Sequence, residues 1–165
     1  MPIDVIPHRP ILGTRHAPWA DEADCRRFAE SLAALPALRE AFVELQGPLG
    51  AGKTTFVRHL LRALGVQGRI KSPTYAVMEP YALPDLPVSH FDFYRFSDPR
   101  EWEDAGFRDV FAAPGLKIAE WPDKAAGLLP VPDLALRIDP VDEHRREVAL
   151  QAFTPRGMAL LEAAR

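Results

Sequence analysis

The sequence predicts an α/β sheet protein with an antiparallel margin, and three observations lead there. A short apolar strand, Ala41 to Leu45, runs straight into a glycine-rich segment and then an amphipathic helix. Further apolar strands follow at intervals, and two late runs alternate apolar and polar residues as a hairpin does. The 165 residues, 47% apolar and 26% charged, suffice for one sizeable core. A single domain over 1–165 is therefore expected, with 1–20 a loosely ordered N-terminal extension. Disorder and a collagen-like chain are excluded on the same composition.

The first helix is expected from Asp21, a capping residue, because Cys25, Phe28, Ala29, Leu32 and Leu35 recur at three-and-four spacing and Pro36 follows. That stripe makes Cys25 buried packing rather than a nucleophile. The helix after the glycine-rich segment buries Phe56, Val57, Leu60, Leu61 and Leu64 and ends at Gly65. Strands are expected at Tyr75 to Met78, Val88 to Tyr94 and Leu116 to Trp121. Leu134, Leu136 and Ile138 against Val148, Leu150 and Ala152 read as an antiparallel hairpin, and a short helix near Arg156 to Ala164 closes the chain.

Charge and composition narrow the function classes. A net charge of −3, from 20 basic and 23 acidic residues, gives no global field for nucleic acid or an anionic membrane. The lone cysteine forms no internal disulfide, and no apolar run approaches the ~18 residues of a membrane span. The start lacks a secretory pattern, so a cytoplasmic protein is the default. The chain has no asparagine, which removes the Asn-Lys-x-Asp element that reads guanine.

Residues 47 to 54, Gly47-Pro48-Leu49-Gly50-Ala51-Gly52-Lys53-Thr54, match G-x-x-x-x-G-K-S/T between a strand and a helix. Glycines let successive N–H groups turn around phosphate oxygens, and the helix adds the positive end of its dipole. Gly50, Ala51, Gly52, Lys53, Thr54 and Thr55 are the expected nucleotide contacts. Lys53 would reach the β and γ phosphates and Thr54 would offer its hydroxyl to Mg²⁺. Thr55 is open between packing, capping and an α-phosphate contact. Arg58, His59 and Arg62 fall on the solvated side of the helix.

Hydrolysis or transfer also needs an acid near the metal or the attacking water, at the carboxyl end of a neighbouring strand. Alternation puts His90, Asp92 and Tyr94 on one face and Phe91 and Phe93 on the other. A carboxylate in so apolar a strand is costly without a cation or donors, so Asp92 is a site candidate, against structural pairing with Arg95 or another base. Glu120 ends Leu116-Lys117-Ile118-Ala119-Glu120 before Trp121 and Pro122, a Walker B-like place that is also an ordinary strand end. His90 is open between a proton carrier, a partner for Asp92 and a packed ring. Trp121 is open between packing and a partner contact. Lys71-Ser72-Pro73-Thr74-Tyr75 suits a loop sensing the γ-phosphate, or a plain turn. These residues alone also admit a small-molecule kinase, with Arg95, Arg100 or Arg108 closing on the phosphates, or a nucleotide-sensing scaffold with incidental hydrolysis.

Together GPLGAGKTT at 47–55, KSPTY at 71–75, HFDFYR at 90–95 and EWP at 120–122 resemble the TsaE (YjeE) family of small bacterial ATPases, across essentially residues 20–150. The resemblance implies a P-loop NTPase domain: a parallel central sheet flanked by antiparallel strands, with helices on both faces. It further implies a slow Mg²⁺-dependent ATPase that supports turnover of the TsaB–TsaD transferase pair in making N6-threonylcarbamoyladenosine on tRNA. TsaB and TsaD homologues are the implied partners, with tRNA met only within that assembly and no membrane involved; the resting oligomeric state is left open. Lys53 and Thr54 match the phosphate and Mg²⁺ positions, Thr74 lies in a switch-like loop, and Asp92, Glu120 and Trp121 match functional positions. Asp92 and Glu120 are expected to place the metal and the water between them, without a division of roles. Two departures stand out: Pro48 where many relatives have an acid, and Phe93 where leucine is commoner.

Overall fold

The computed structural model describes residues 9–165. Among these the strands are β1 (Gly13–His16), β2 (Phe42–Gln46), β3 (Met78–Leu83), β4 (Leu86–Asp92), β5 (Leu116–Glu120), β6 (Leu134–Pro140) and β7 (Arg146–Ala152). The α-helices are α1 (Glu22–Ala33), α2 (Lys53–Leu64), α3 (Pro99–Asp104), α4 (Phe107–Ala112) and α5 (Pro155–Ala163). All strands join one sheet in the order β1-β7-β6-β2-β5-β4-β3. The central β6, β2, β5 and β4 are mutually parallel, while β7 and β3 add antiparallel on either side and β1 pairs antiparallel with β7. The expected architecture is therefore the one found.

Alternation along the strands divides the core between two faces. Val43, Leu45, Val88, Leu116, Ile118, Leu134, Leu136, Ile138, Val148 and Leu150 pack with residues of α1, α2 and α5. Asp21 caps α1, accepting from Asp24 N at 3.0 Å, which stabilises the helix by about 1 kcal/mol. Trp19, Phe28 and Phe56 lock α1 to α2, with ring centroids 5.8 to 6.2 Å apart. The other face carries Phe42, Phe91, Phe93 and Ala119 against Trp102 of α3 and Phe107 of α4. There Phe93 fits fully buried, stacked 5.5 Å from Phe91 and edge-on to Phe96, so its extra volume is absorbed by aromatic packing.

Two expectations are corrected. The strand expected at Tyr75 to Met78 begins only at Met78 and runs to Leu83. Val77 has a left-handed φ of 67°, its N–H closes a turn onto Pro73 O at 2.6 Å, and its carbonyl accepts from Asp92 N at 2.9 Å. The second concerns the extension expected over 1–20. Residues 1–8 lie outside the described residues, but 13–16 form a paired strand, and Trp19 is 4% exposed and bridges to Arg146.

Candidate phosphate and metal site

The loop after β2 is shaped by two glycines. Gly47 has φ +142°, and a Cβ there would stand 2.2 Å from the Ile138 carbonyl oxygen, so no other residue lets the chain leave β2 this way. Gly52, at φ +103°, is the N-cap of α2, which puts Lys53 and Thr54 in the first turn beside free helix N–H groups. Pro48 removes one N–H at the loop entry and its carbonyl accepts from Ala51 N at 3.1 Å, closing the turn.

Lys53 is buried, donates to the Gly47 carbonyl, and lies 3.6 Å from the Trp121 ring centroid. Desolvation lowers its pKa, while Glu120, Asp92 and Asp123 oppose that shift. Trp121 holds a left-handed φ of 54° and packs 5.0 Å from Tyr94, so its indole walls the site and is more than core packing.

Because β4 and β5 are parallel and in register at Asp92 and Glu120, both carboxylates leave strand ends on the α2 side of the sheet. Glu120, 2% exposed, accepts from the Thr54 hydroxyl at 2.9 Å through Oε1 and from His90 Nε2 at 2.7 Å through Oε2. Asp92, 4% exposed, accepts from the Thr74 hydroxyl through Oδ2 and from Tyr94 N through Oδ1, both at 2.9 Å. Ser72 Oγ lies 2.9 Å from Thr74 Oγ1, extending this chain into the loop. Asp92 takes part in no ion pair with Arg95, which stacks on Tyr75 at 4.5 Å, and His90 is a buried ring that meets Glu120 rather than Asp92.

All nine expected site residues, Gly50, Ala51, Gly52, Lys53, Thr54, Thr55, Thr74, Asp92 and Glu120, line one cleft of about 440 Å³. Arg146 also lines it, donating through Nε to Ala51 O at 2.8 Å. Sequence reading passed over this arginine, whose place depends on how the β6–β7 turn meets the phosphate loop. Arg100 and Arg108 stand on α3 and α4, whose apolar residues pack on the opposite face, and neither lines the cleft. Cys25 is buried as expected, and burial pushes its thiol up to about 12. A larger cleft of about 570 Å³ lies behind the loop around Glu44, whose carboxyl is raised by burial against the opposing effect of Arg9, 3.1 Å away.

Among the described residues there is no cluster of three or more His, Cys, Asp or Glu side chains of the kind that cages a metal alone. Adjacent oxygens of Thr54 and Glu120, open to a phosphate loop, instead suit a hard cation that keeps waters and takes few protein ligands.

The family model for the threonylcarbamoyl adenosine biosynthesis protein TsaE matches residues 19–148. The Haemophilus influenzae tRNA threonylcarbamoyladenosine biosynthesis protein TsaE is 41% identical over 138 residues, covering 84% of this chain and 87% of that protein. Its Bacillus subtilis counterpart is 35% identical over 118 residues, covering 72% and 73%. The crystal structure of Bacillus subtilis YdiB superposes with a TM-score of 0.76 at 25% identity, covering 93% of this chain and 94% of that one. Fold, motif order and relatives thus converge, and the chain belongs to the TsaE family.

Proposed function

We propose that this member of a family in tRNA threonylcarbamoyladenosine biosynthesis is a Mg²⁺-dependent ATPase, slow alone, that serves a TsaB–TsaD transferase pair in the cytoplasm. The observation carrying this reading is the pair of buried carboxylates facing the phosphate loop, each held by its own donors. Main-chain N–H groups from Gly50 to Thr54 and the Lys53 ammonium grip the triphosphate tail. The Thr54 hydroxyl and Glu120 would be the protein's oxygen ligands to Mg²⁺, which would supply charge neutralisation on the phosphates. Asp92, held by Thr74 and Tyr94 N, orients the attacking water and takes its proton. Through Thr74 and Ser72 the same carboxylate is joined to the 71–75 loop, which gives the nucleotide a route to the surface.

Exposed apolar groups at Leu49, Tyr75 and Tyr94 stand at or beside the mouth of the cleft, which supports docking of the partner proteins over it. No helix among the described residues is long and apolar enough to cross a membrane. The test is ATP titration by calorimetry, with phosphate release measured alone and with TsaB and TsaD homologues. Lys53→Ala is expected to cost about 10- to 100-fold in ATP affinity, the worth of a charge-assisted contact. Unaltered ATP binding in that variant, or no phosphate release from the wild type with both partners present, would defeat the reading.

A further inference from the structure

Resting on that reading, we infer that His90 is a positioning residue, which fixes the Glu120 carboxylate so that its Oε1 and the Thr54 hydroxyl form one metal-binding pair. The imidazole is fully buried on β4, two residues before Asp92, diagonal to Glu120 across the β4–β5 register. A carboxylate only accepts, so Nε2 carries the proton and donates to Oε2 at 2.7 Å. Nδ1, by contrast, is buried with no hydrogen-bond partner among the described residues. An imidazole serving packing alone would be better replaced by an apolar ring, because the unpaired nitrogen carries a desolvation penalty. Among the described residues the imidazole's one hydrogen bond is with Glu120.

That contact has a geometric consequence. A glutamate side chain rotates about three bonds, and its terminal torsion is soft. With Oε2 tied to His90 and Oε1 beside the Thr54 hydroxyl, 2.9 Å away, rotation is blocked at both oxygens before any metal arrives. Removing one tie leaves the carboxylate free to swing toward Lys53, whose ammonium senses its field. Groups that hold a metal's ligands commonly govern affinity by about 10- to 100-fold.

The experiment measures ADP affinity by calorimetry with Mg²⁺ and in EDTA, for wild type, His90→Leu, His90→Asn and His90→Gln, with thermal melts on each. Glutamine carries an amide N–H as far as the imidazole Nε2; leucine has no donor and asparagine falls short. Leucine and asparagine are expected to lower the Mg²⁺ enhancement of ADP affinity about 10- to 100-fold, with affinity in EDTA changed less than about twofold. Glutamine restores most of the enhancement, and Mn²⁺ titration followed by electron paramagnetic resonance should give the same ranking. A role in folding alone would lower both affinities together and give glutamine no advantage, overturning the inference. If leucine does not fold, asparagine against glutamine decides. A wild type whose ADP affinity ignores Mg²⁺ would overturn the metal role of Thr54 and Glu120, and with it this inference; a Mg²⁺-sensitive wild type with an equally sensitive asparagine variant overturns the inference alone.

Discussion

Asp92 and Glu120 stand directly opposite one another across two parallel strands, yet among the described residues they are held by different groups: Thr74 and Tyr94 N hold the first, Thr54 and His90 the second. Separate anchors predict separable phenotypes. Asp92→Asn keeps Mg²⁺-linked ADP binding within a few-fold and lowers single-turnover phosphate release by about 10²- to 10⁴-fold, the range of a positioned general base. Glu120→Gln instead loses the Mg²⁺ enhancement of binding. Calorimetry and quenched-flow phosphate release distinguish the two, and identical profiles for both variants would contradict the division of roles.

How much of this was legible in the sequence follows from how local each signal is. The phosphate loop, α1, α2 and the β6–β7 hairpin are written in short-range periodicity and in glycines whose spacing has one reading. Asp92 and Glu120 were legible because a carboxylate ending an apolar strand needs a reason. The pairing of His90 with Glu120 was not, since it depends on which strands are neighbours. β1 escaped notice because Gly13, Thr14, Arg15 and His16 carry no apolar alternation. α3 and α4, six residues each, are too short to show a helical period, although Asp98 and Pro99 were a start signal. Arg146 lies 95 residues from the carbonyl it binds, and no spacing rule reaches that far.

Cys25 should be chemically silent in the folded chain. Burial pushes its thiol from 9.0 to about 12, with Glu22 reinforcing and Arg146 opposing the shift. At pH 8 the folded chain then holds a thiolate fraction on the order of 10⁻⁴. Ellman's reagent is expected to react slowly with the native protein and fully in guanidinium. Between about pH 9 and 12 the folded chain keeps a proton that the unfolded chain has released, so this group makes stability fall as pH rises. Urea titrations across that window should show a shallower fall for Cys25→Ala, and rapid native labelling at pH 8 would contradict the burial.

Gly157 is fixed by contact, not by backbone torsion. A Cβ there would stand 1.8 Å from the Asp133 carbonyl oxygen, where α5 meets the sheet. Asp133 is itself a junction: its side chain accepts from Phe42 N at 2.7 Å and from the Thr154 hydroxyl at 2.6 Å, tying the start of β2 to the cap of α5. Gly157→Ala must push α5 away, an overpacking cost of about 3 kcal/mol. That corresponds to a Tm lowered by roughly 6–12 °C for a chain of this size. ADP affinity at 20 °C should be unchanged, because α5 does not border the phosphate loop cleft; a melt matching wild type would refute the steric argument.

Arg146 joins the β6–β7 turn to the phosphate loop. Its Nε donates to Ala51 O at 2.8 Å, while one terminal nitrogen donates to the carbonyls of Asp142 at 2.9 Å and Arg145 at 3.0 Å. The guanidinium thus holds the loop's shape from outside, and it also lines a second cleft of about 180 Å³ shared with Trp19, Gly52 and Thr55. Lysine keeps the charge but lacks the planar fork that meets several carbonyls at once. Arg146→Lys is expected to weaken ADP binding about tenfold and Arg146→Ala somewhat more, each equivalent to one or two lost charge-assisted hydrogen bonds. Because this residue touches the loop and neither Thr54 nor Glu120, the loss should be equal in Mg²⁺ and in EDTA, the opposite of the Glu120→Gln profile. Calorimetry under both conditions checks this, and a loss confined to Mg²⁺ would move Arg146 from the loop to the metal side of the site.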